Sequence, residues 1–426
     1  MEANGHQSRE LLIDIYEENN LMDVLEPMPD CCIYRVPQHL RKINEEAYTP
    51  RIISIGPLHY GRKELMGMEN QKRRYWSKFV GRLNAQQLEE FETYIRNEEQ
   101  HIRDHYSVSS NLWNIEMIRY DVVFVIELFL RYYETGNLLL CTPHLINSLA
   151  IDLLLLENQL PYYVLDDLYT NACKACPSSE GFPSFFDLSL KFFSVMEIFK
   201  YDSNLGQPKV KHFTDLLRHA LVKGAESTLN PDKYRFDLPS ATKLNESGLI
   251  FRAVTDKGFL NISLEEIRYC GKWLPWFKVK EVRIPRIGID DDTEILFRNV
   301  MALEQFHYPR ETDVCNYVAL MDYLINTAND VDLLAEKGII VNGVGDNEAI
   351  AKMFNKLCSH ISLSPSRYHE IVEKMIAHYN YPWNHWKATL ISVYFSNLWS
   401  GTATIAATFL VILTLIQTVC SIMQVR

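Results

Sequence analysis

Glycine and proline are scarce in this chain, with 17 of each in 426 residues. That excludes collagen-like and low-complexity chains and argues for a folded body. Basic charge is in deficit as well. Against 54 aspartates and glutamates stand 43 lysines and arginines, a net charge of -11. A general nucleic-acid binder needs a basic excess or a basic face, so no nucleic-acid partner is expected. The same acidity suits a soluble body that stands off anionic headgroups. Cysteine is sparse, nine residues scattered over a long chain, which fits reduced thiols better than a disulfide framework. The first residues have no basic segment followed by an apolar run, so no secretory signal is read there. The chain contains no G-x-S-x-G, no P-loop and no H-E-x-x-H, hence no nucleophile elbow, phosphate cradle or zinc-protease helix. No repeat and no clear linker divides it.

What the chain does have is one unusual central stretch, Ile151-Asp-Leu-Leu-Leu-Leu-Glu-Asn-Gln-Leu-Pro-Tyr-Tyr-Val-Leu165. Four consecutive leucines leave no exposed face in a helix, so the segment is expected to be buried all round. Pro161 cannot donate to the carbonyl four residues earlier and pushes Leu160 out of helical geometry. The helix must kink or restart, and the side-chain amides of Asn158 and Gln159 are placed to serve the freed carbonyls. Glu157, Asn158, Gln159 and Pro161 thus form a structural pivot. The competing reading makes Glu157 a buried catalytic or ligand-binding carboxylate.

Around the pivot the pattern is mainly helical. An N-terminal polar extension (residues 1–29) carries a short amphipathic helix near Leu11–Met22. Residues 30–365 read as one integrated helical domain. Within it, Arg51–Gly61 reads as a strand entering a turn, and Glu64–His105, Asn111–Tyr133, Asn147–Tyr169, Phe185–Tyr201 and Lys211–Ala225 as helices with Thr170–Ser184 a loop. A small antiparallel β insert is expected at about 234–287, with a hairpin joining Leu249–Val254 to Phe259–Ile262 and a half-exposed strand over Phe277–Pro285. Asp290-Asp-Asp-Thr293 reads as an acidic loop capping a helix over Glu294–Phe306. Helices follow at Val314–Ile325, Val331–Lys337 and Asn347–Cys358, with Gly338–Asp346 as connector.

Residues 366–400 form a juxtamembrane helical segment, with His369–Tyr379 and the aromatic stretch Tyr381–Trp386 expected at the membrane surface. Ala388–Val425 contains no charge. Within it, residues 401–424 are long and apolar enough to span a bilayer. Thr402, Ile405, Phe409, Leu410, Ile412, Leu415, Ile416 and Val419 would face lipid, and Trp399 sits where an interfacial aromatic belongs. The simplest orientation leaves the body in the cytosol, with the plasma membrane and endomembranes not distinguished.

Other motifs point to chemistry less firmly. His101 and His105, four apart, share a helix face as metal ligands do, but the zinc-protease glutamate and a third ligand are missing, so solvated histidines are favoured. Cys173-Lys-Ala-Cys176 has neither the strand nor the second pair that a redox or zinc site needs. Gly343-Val-Gly345 hints at a dinucleotide turn but lacks the third glycine, and a helix cap is favoured. Lys72, Arg73 and Arg74, interleaved with Tyr75 and Trp76, are weak binding candidates for phosphate or an acidic partner, set against a solvated helix face. Asn245-Glu-Ser247 and Asn261-Ile-Ser263 are glycosylation sequons. No cofactor, metal or small-molecule substrate is implied.

Several ordered pieces carry a likeness. They are Ile33-Tyr-Arg-Val-Pro37, Pro50 through Ile55-Gly-Pro-Leu-His59, Met68-Glu-Asn-Gln-Lys72, Asp152 through Pro161, Ser240-Ala-Thr-Lys-Leu244, Phe297-Arg-Asn299 with Glu304-Gln305, Asp330 through Ile340, and Tyr394-Phe-Ser-Asn-Leu-Trp399. Together they resemble the plant domain of unknown function 247 family, also grouped as uncharacterised protein family 0481, over roughly residues 30–425. The resemblance implies a plant protein with a large, mostly helical domain and one C-terminal transmembrane helix. Some grass members of that family are associated with pollen–stigma self-incompatibility, and no enzymatic activity is established for it, so no catalytic residues carry over. Leu398 stands where many relatives have proline, and His105 where relatives often have cysteine.

Three readings follow. The first is a tail-anchored, non-enzymatic interaction or signalling module with a protein partner at a membrane surface. The second is an extracytosolic recognition factor of the self-incompatibility type. The third is a membrane-tethered enzyme using Glu157 with Glu69 and Lys72.

Overall fold

The computed structural model describes residues 28–108, 113–135, 143–174, 183–196, 208–223, 237–255, 258–268, 278–363, 366–390 and 398–424. The expected helix near Leu11–Met22, Cys176 and the sequence turn at Asp256-Lys257 lie outside them.

The fold is mainly α with a small sheet insert. In chain order the helices are α1 (Gln38–Arg41), α2 (Met66–Val80), α3 (Ala85–Asp104), α4 (Ile115–Thr135), α5 (Pro143–Leu154), α6 (Tyr162–Lys174), α7 (Phe185–Phe193), α8 (Phe213–Val222) and α9 (Ala241–Glu246). They continue with α10 (Thr293–His307), α11 (Asp313–Leu324), α12 (Ala328–Glu336), α13 (Asn347–Leu357), α14 (His369–Tyr379), α15 (Pro382–Thr389) and α16 (Leu398–Gln424). Two helices form the centre. Val122 through Phe129 of α4 and Ile295 through Glu304 of α10 are buried without a break, so neither has a water-facing side along those stretches. Phe129 of α4 stacks on Phe192 of α7 at 4.5 Å and meets Phe213 of α8 at 5.5 Å. This aromatic cluster joins the α4 layer to the α8–α10 layer. One continuous hydrophobic core runs from Cys31 to Met375.

Three local readings need correction. The stretch expected to be a strand, Arg51–Gly61, pairs with no strand. Its amides are taken by buried side chains instead, so its β-branched residues are extended without a sheet. The expected hairpin between Leu249–Val254 and Phe259–Ile262 does not form. The second strand begins at Ser263, and β1 (Ile250–Val254) and β2 (Ser263–Arg268) lie on opposite sides of β3 (Lys278–Pro285). β3 is antiparallel to β2 but parallel to β1, so the insert is a mixed sheet. The register explains the choice: Phe251 and Leu264 both lie opposite Val282, burying apolar side chains from both edges on the central strand. Last, Asp292 stands at the α10 N-cap without a side-chain bond there. Asp290 holds the turn, accepting from the Thr293 hydroxyl at 2.6 Å and the Asp292 amide at 3.2 Å.

Smaller differences follow the same logic. The connector Gly338–Asp346 contains β5 (Ile340–Asn342), parallel to β4 (Ile287–Ile289). Three-residue strands are too short for periodicity to reveal. Helix α6 runs on to Lys174, into the expected loop. In α14, Val372 and Met375 are buried in the common core, so that face packs on the body and not on a bilayer.

Candidate functional site

Helix α5 ends at Leu154 and α6 starts at Tyr162, so the chain is non-helical over 155–161, where every residue is buried. Buried backbone groups must find partners. Here the partners are side chains. Asn158 donates through Nδ2 to Asp152 O at 2.8 Å and to Ile53 O at 3.0 Å, and accepts from Ile55 N at 2.6 Å. Gln159 donates through Nε2 to Leu153 O at 2.6 Å and Leu155 O at 2.7 Å, and accepts from Phe213 N at 2.9 Å. Asn299 accepts from Leu156 N at 2.8 Å, and the Tyr106 hydroxyl donates to Gln159 O at 2.8 Å. Asp152, in the last turn of α5, accepts from the amides of Arg51, Ile52 and Ile53 at 2.7–2.9 Å. The pivot therefore does two things. It mends its own helix break, and it tethers the irregular 51–56 segment.

Two ionic clusters flank that segment. In one, Glu157 accepts from Val36 N at 2.7 Å through Oε1, while Oε2 meets the Arg41 guanidinium and lies 3.3 Å from His59 Nε2. Burial alone would raise the Glu157 carboxyl, but His59 and Arg41 outweigh it and hold it below its ordinary value. Burial lowers His59 against the pull of Glu157. In the other cluster the Lys72 ammonium, fully buried, meets Glu69 at 2.6 Å, Asp121 at 2.6 Å and the Ser54 carbonyl. Burial opposes the Lys72 charge, but Asp121 and Glu69 prevail and raise its pKa. Burial pushes Asp121 up to about 6, although Asp121 also accepts from Gly56 N at 2.8 Å.

Glu157 and Lys72 thus share no contact among the described residues. Ser54 and His59, both on the irregular strap formed by residues 51–61, link their clusters. Chemically, Glu157 is an ionised acceptor held by the Val36 amide and the Arg41 guanidinium, with the His59 ring beside it. A general acid or base at neutral pH calls for the opposite, a pKa brought near the operating pH. Lys72 is buried, so it cannot meet a partner and drops out as a binding candidate. Its neighbours Arg73 and Arg74 are exposed.

Sequence reasoning missed Arg41, His59 and Asp152 among the groups that complete these clusters, and read Asp121, inside an apolar helix, only as a charge that must find a partner or water. The available signal was a lone charge inside an apolar helix, as with Asp152 in its leucine run and Asp121 before Val122-Val-Phe-Val125. It also missed the environment of Glu304, in the last turn of α10. Glu304 accepts from Arg218 Nε at 3.1 Å and from the amides of Val314 and Cys315 at 3.1 and 2.9 Å. Burial pushes it up to about 7 against the pull of Arg218. The folded protein therefore holds this proton to near neutrality, whereas an unfolded chain releases it near 4.5. The stabilisation is complete below the unfolded value and disappears as the pH rises through about 7. Glu304→Gln should flatten the fall in unfolding free energy between about pH 5 and 8, by on the order of 3 kcal/mol. Urea melts across that range check it, and an unaltered slope refutes it.

The other motifs resolve locally. His101 Nδ1 lies 3.0 Å from Glu98 and 3.1 Å from the Tyr163 hydroxyl, and His105 Nδ1 donates to His101 O at 2.8 Å. Among the described residues no group of three or more His, Cys, Asp or Glu is placed to hold a metal. The side chains of Cys173 and Cys176 lie outside the described residues. Past Gly343 and Gly345, Asp346 caps α13 by accepting from Glu348 N at 3.0 Å.

At the C-terminal end, α16 contains a 22-residue apolar window, Thr402–Met423, with mean hydropathy 2.2 and none of it buried. Phe409, Leu410, Val411, Ile412, Leu413, Leu415, Ile416 and Val419 are each about half exposed or more. Thr402 is exposed too, and the side chain of Ile405 lies outside the described residues. Thr408, Thr414 and Thr418 return their hydroxyls to carbonyls one turn back at 2.7–2.8 Å.

A family model described as "Plant protein of unknown function", DUF247, matches residues 33–413. A UPF0481 protein of Arabidopsis thaliana is 26% identical, over 92% of this chain and 87% of the relative. A putative UPF0481 protein of the same plant is 22% identical, over 94% and 91%. No solved structure matches the chain.

Proposed function

Since the chain belongs to the DUF247 family of plant proteins of unknown function, we propose that it is a membrane-anchored interaction or signalling module and not an enzyme, its helical body presented at a bilayer surface to a protein partner. The observation that carries the membrane half of this reading is α16. Five consecutive residues, Phe409–Leu413, are exposed and point in every direction around a helix. One protein groove covers one face, whereas a bilayer covers all of them. The threonine back-bonds fit the same environment, since hydroxyls in hydrocarbon must be satisfied within the helix.

The interaction half rests on what the buried polar groups do. Glu157, Lys72, Asp121 and Asp152 are committed to the strap and to one another, so they support the body's shape, and neither cofactor nor small-molecule substrate enters this reading. For the body we favour the cytosolic side. Cys31, Cys32, Cys315 and Cys358 are all unpaired thiols, which suits a reducing compartment. The extracytosolic alternative rests on the sequons at Asn245 and Asn261. Asn245 lies within α9, where the Ser247 side chain is buried and its hydroxyl donates to Leu244 O at 2.7 Å.

Deleting residues 398–426 should move the protein from the membrane pellet to the soluble fraction. A span is an effectively irreversible anchor that the rest of the chain cannot replace. Undiminished membrane retention of the truncated chain, or glycan attachment at Asn245 or Asn261 in the full chain, would refute the anchor or the orientation respectively.

A further inference from the structure

Helix α15 presents two faces with different surroundings. Asn384 and Ala388 lie against the turn after α9: an added Cβ at Gly248, whose φ is +92°, would sit 3.3 Å from the Ala388 Cβ and 3.8 Å from Asn384 O. Asn384 Nδ2 also donates to His378 O at 2.8 Å. This face fixes α15 to the body. The opposite face is bare. Trp383 is 72% exposed, Trp386 75% and Leu390 45%, and their spacing of three and four residues places them in one stripe.

Lys387 lies between the two faces, about 40° round the helix from Trp383 at 100° per residue. Its ammonium donates to Lys278 O at 2.7 Å. There it opens on a cleft of about 130 Å³, also lined by Lys278 and Lys280 of β3, by Glu266 of β2 and by His378. Lys278 pairs with Glu266 at 2.9 Å. Three lysines against one glutamate leave the cleft positive, on a chain whose net charge is -11.

We propose that the Trp383–Trp386–Leu390 stripe docks into the interface of the bilayer crossed by α16, with anionic lipid phosphates seated at the cleft of Lys278, Lys280 and Lys387. This inference rests on the membrane reading above. Two arguments select a lipid surface as the occupant. The first is reach: residues 391–397 join Leu390 to Leu398, so the stripe lies within about 29 Å of the start of α16 whatever the path between them. The second is chemistry. Tryptophan prefers the headgroup level, and lysines beside a span attract anionic lipid. Repulsion of the acidic remainder from the same lipid turns this side of the body inward. Because Gly248 admits α15 so closely, docking would fix the orientation of the whole body and not only of a flexible tether.

The test uses full-length protein in vesicles of phosphatidylcholine, with and without phosphatidylserine, carrying acyl chains brominated near the headgroup. Subtracting the emission of Trp383→Phe/Trp386→Phe from that of wild type isolates the two tryptophans. The expected result is bromolipid quenching of the difference signal that strengthens with phosphatidylserine. Lys278→Gln and Lys280→Gln should each lower the ratio of docked to undocked protein about fivefold in that lipid, the equivalent of about 1 kcal/mol per lysine near the surface. Protein that floats with the vesicles while its difference signal stays unquenched would overturn the docking and leave the anchor standing, opening the stripe to a protein partner. Equal quenching in both lipids would overturn the role of anionic phosphate. Protein that fails to float would overturn the anchor and the docking together.

Discussion

Lys72→Met is expected to lower the unfolding free energy by about 3–5 kcal/mol. The reason is not the strength of any one bond. The Lys72 ammonium is fully buried between Glu69, Asp121 and the Ser54 carbonyl. Methionine fills nearly the same volume, so little packing is lost. What remains is two carboxylates facing each other without a cation, in a place water does not reach. Stranding a buried charge costs far more than forming the pair contributes. Asp121 is held by burial at about 6 even with the lysine present, so it should take up a proton once the lysine is gone. The loss should therefore shrink as the pH falls towards about 6 and level off below it, where the wild-type Asp121 is protonated as well. Lys72→Met/Asp121→Leu should recover part of the loss by removing one stranded carboxylate. The recovery stays partial because Gly56 N also donates to Asp121, at 2.8 Å. Urea denaturation of the detergent-solubilised full chain at two pH values checks both variants. A Lys72→Met loss under about 1 kcal/mol, the level of an exposed pair, would show that water enters the cluster.

These clusters also mark how far the sequence could be read. Helices α4, α10 and α16 were visible because an apolar run of helical length has few other destinations. The break at Pro161 was visible because proline removes a specific donor. Asn158 and Gln159 could be proposed as its menders since amides both donate and accept. Their second task could not be seen. Ile53 and Ile55 lie about a hundred positions away in the chain, and nothing local to Arg51-Ile-Ile-Ser-Ile55 distinguishes a strand in a sheet from a strap held by side chains. The mixed order of the insert was hidden for the same reason. A turn-like sequence between two apolar runs favours a hairpin, but tertiary pairing with Val282 on β3 overrides it. Lys72 looked like part of a basic surface patch because charge patterning records residue type, not which side of α2 faces the core.

The second large effect is expected at Gly56, the residue where strap and pivot touch. Gly56→Ala should cost about 2–5 kcal/mol, the sum of two terms. Its φ of +73° is left-handed, where an added Cβ costs about 1–2 kcal/mol. That Cβ would also stand 2.4 Å from Gln159 O and 2.9 Å from the Tyr106 hydroxyl, and forced overpacking costs about 1–3 kcal/mol. The first obstacle is backbone and cannot rotate away. It is also anchored, since Gln159 is tied through its side chain to Leu153, Leu155 and Phe213. Gly61 supplies the control. Its φ is +81°, but an added Cβ meets nothing within 4 Å, so Gly61→Ala should show the conformational term alone. The difference between the two variants in urea melts isolates the contact between strap and pivot. If Gly56→Ala cost no more than Gly61→Ala, Gln159 would have moved aside at little expense. The 155–161 segment would then be compliant, and the buried amides would be holding a path that the chain can leave.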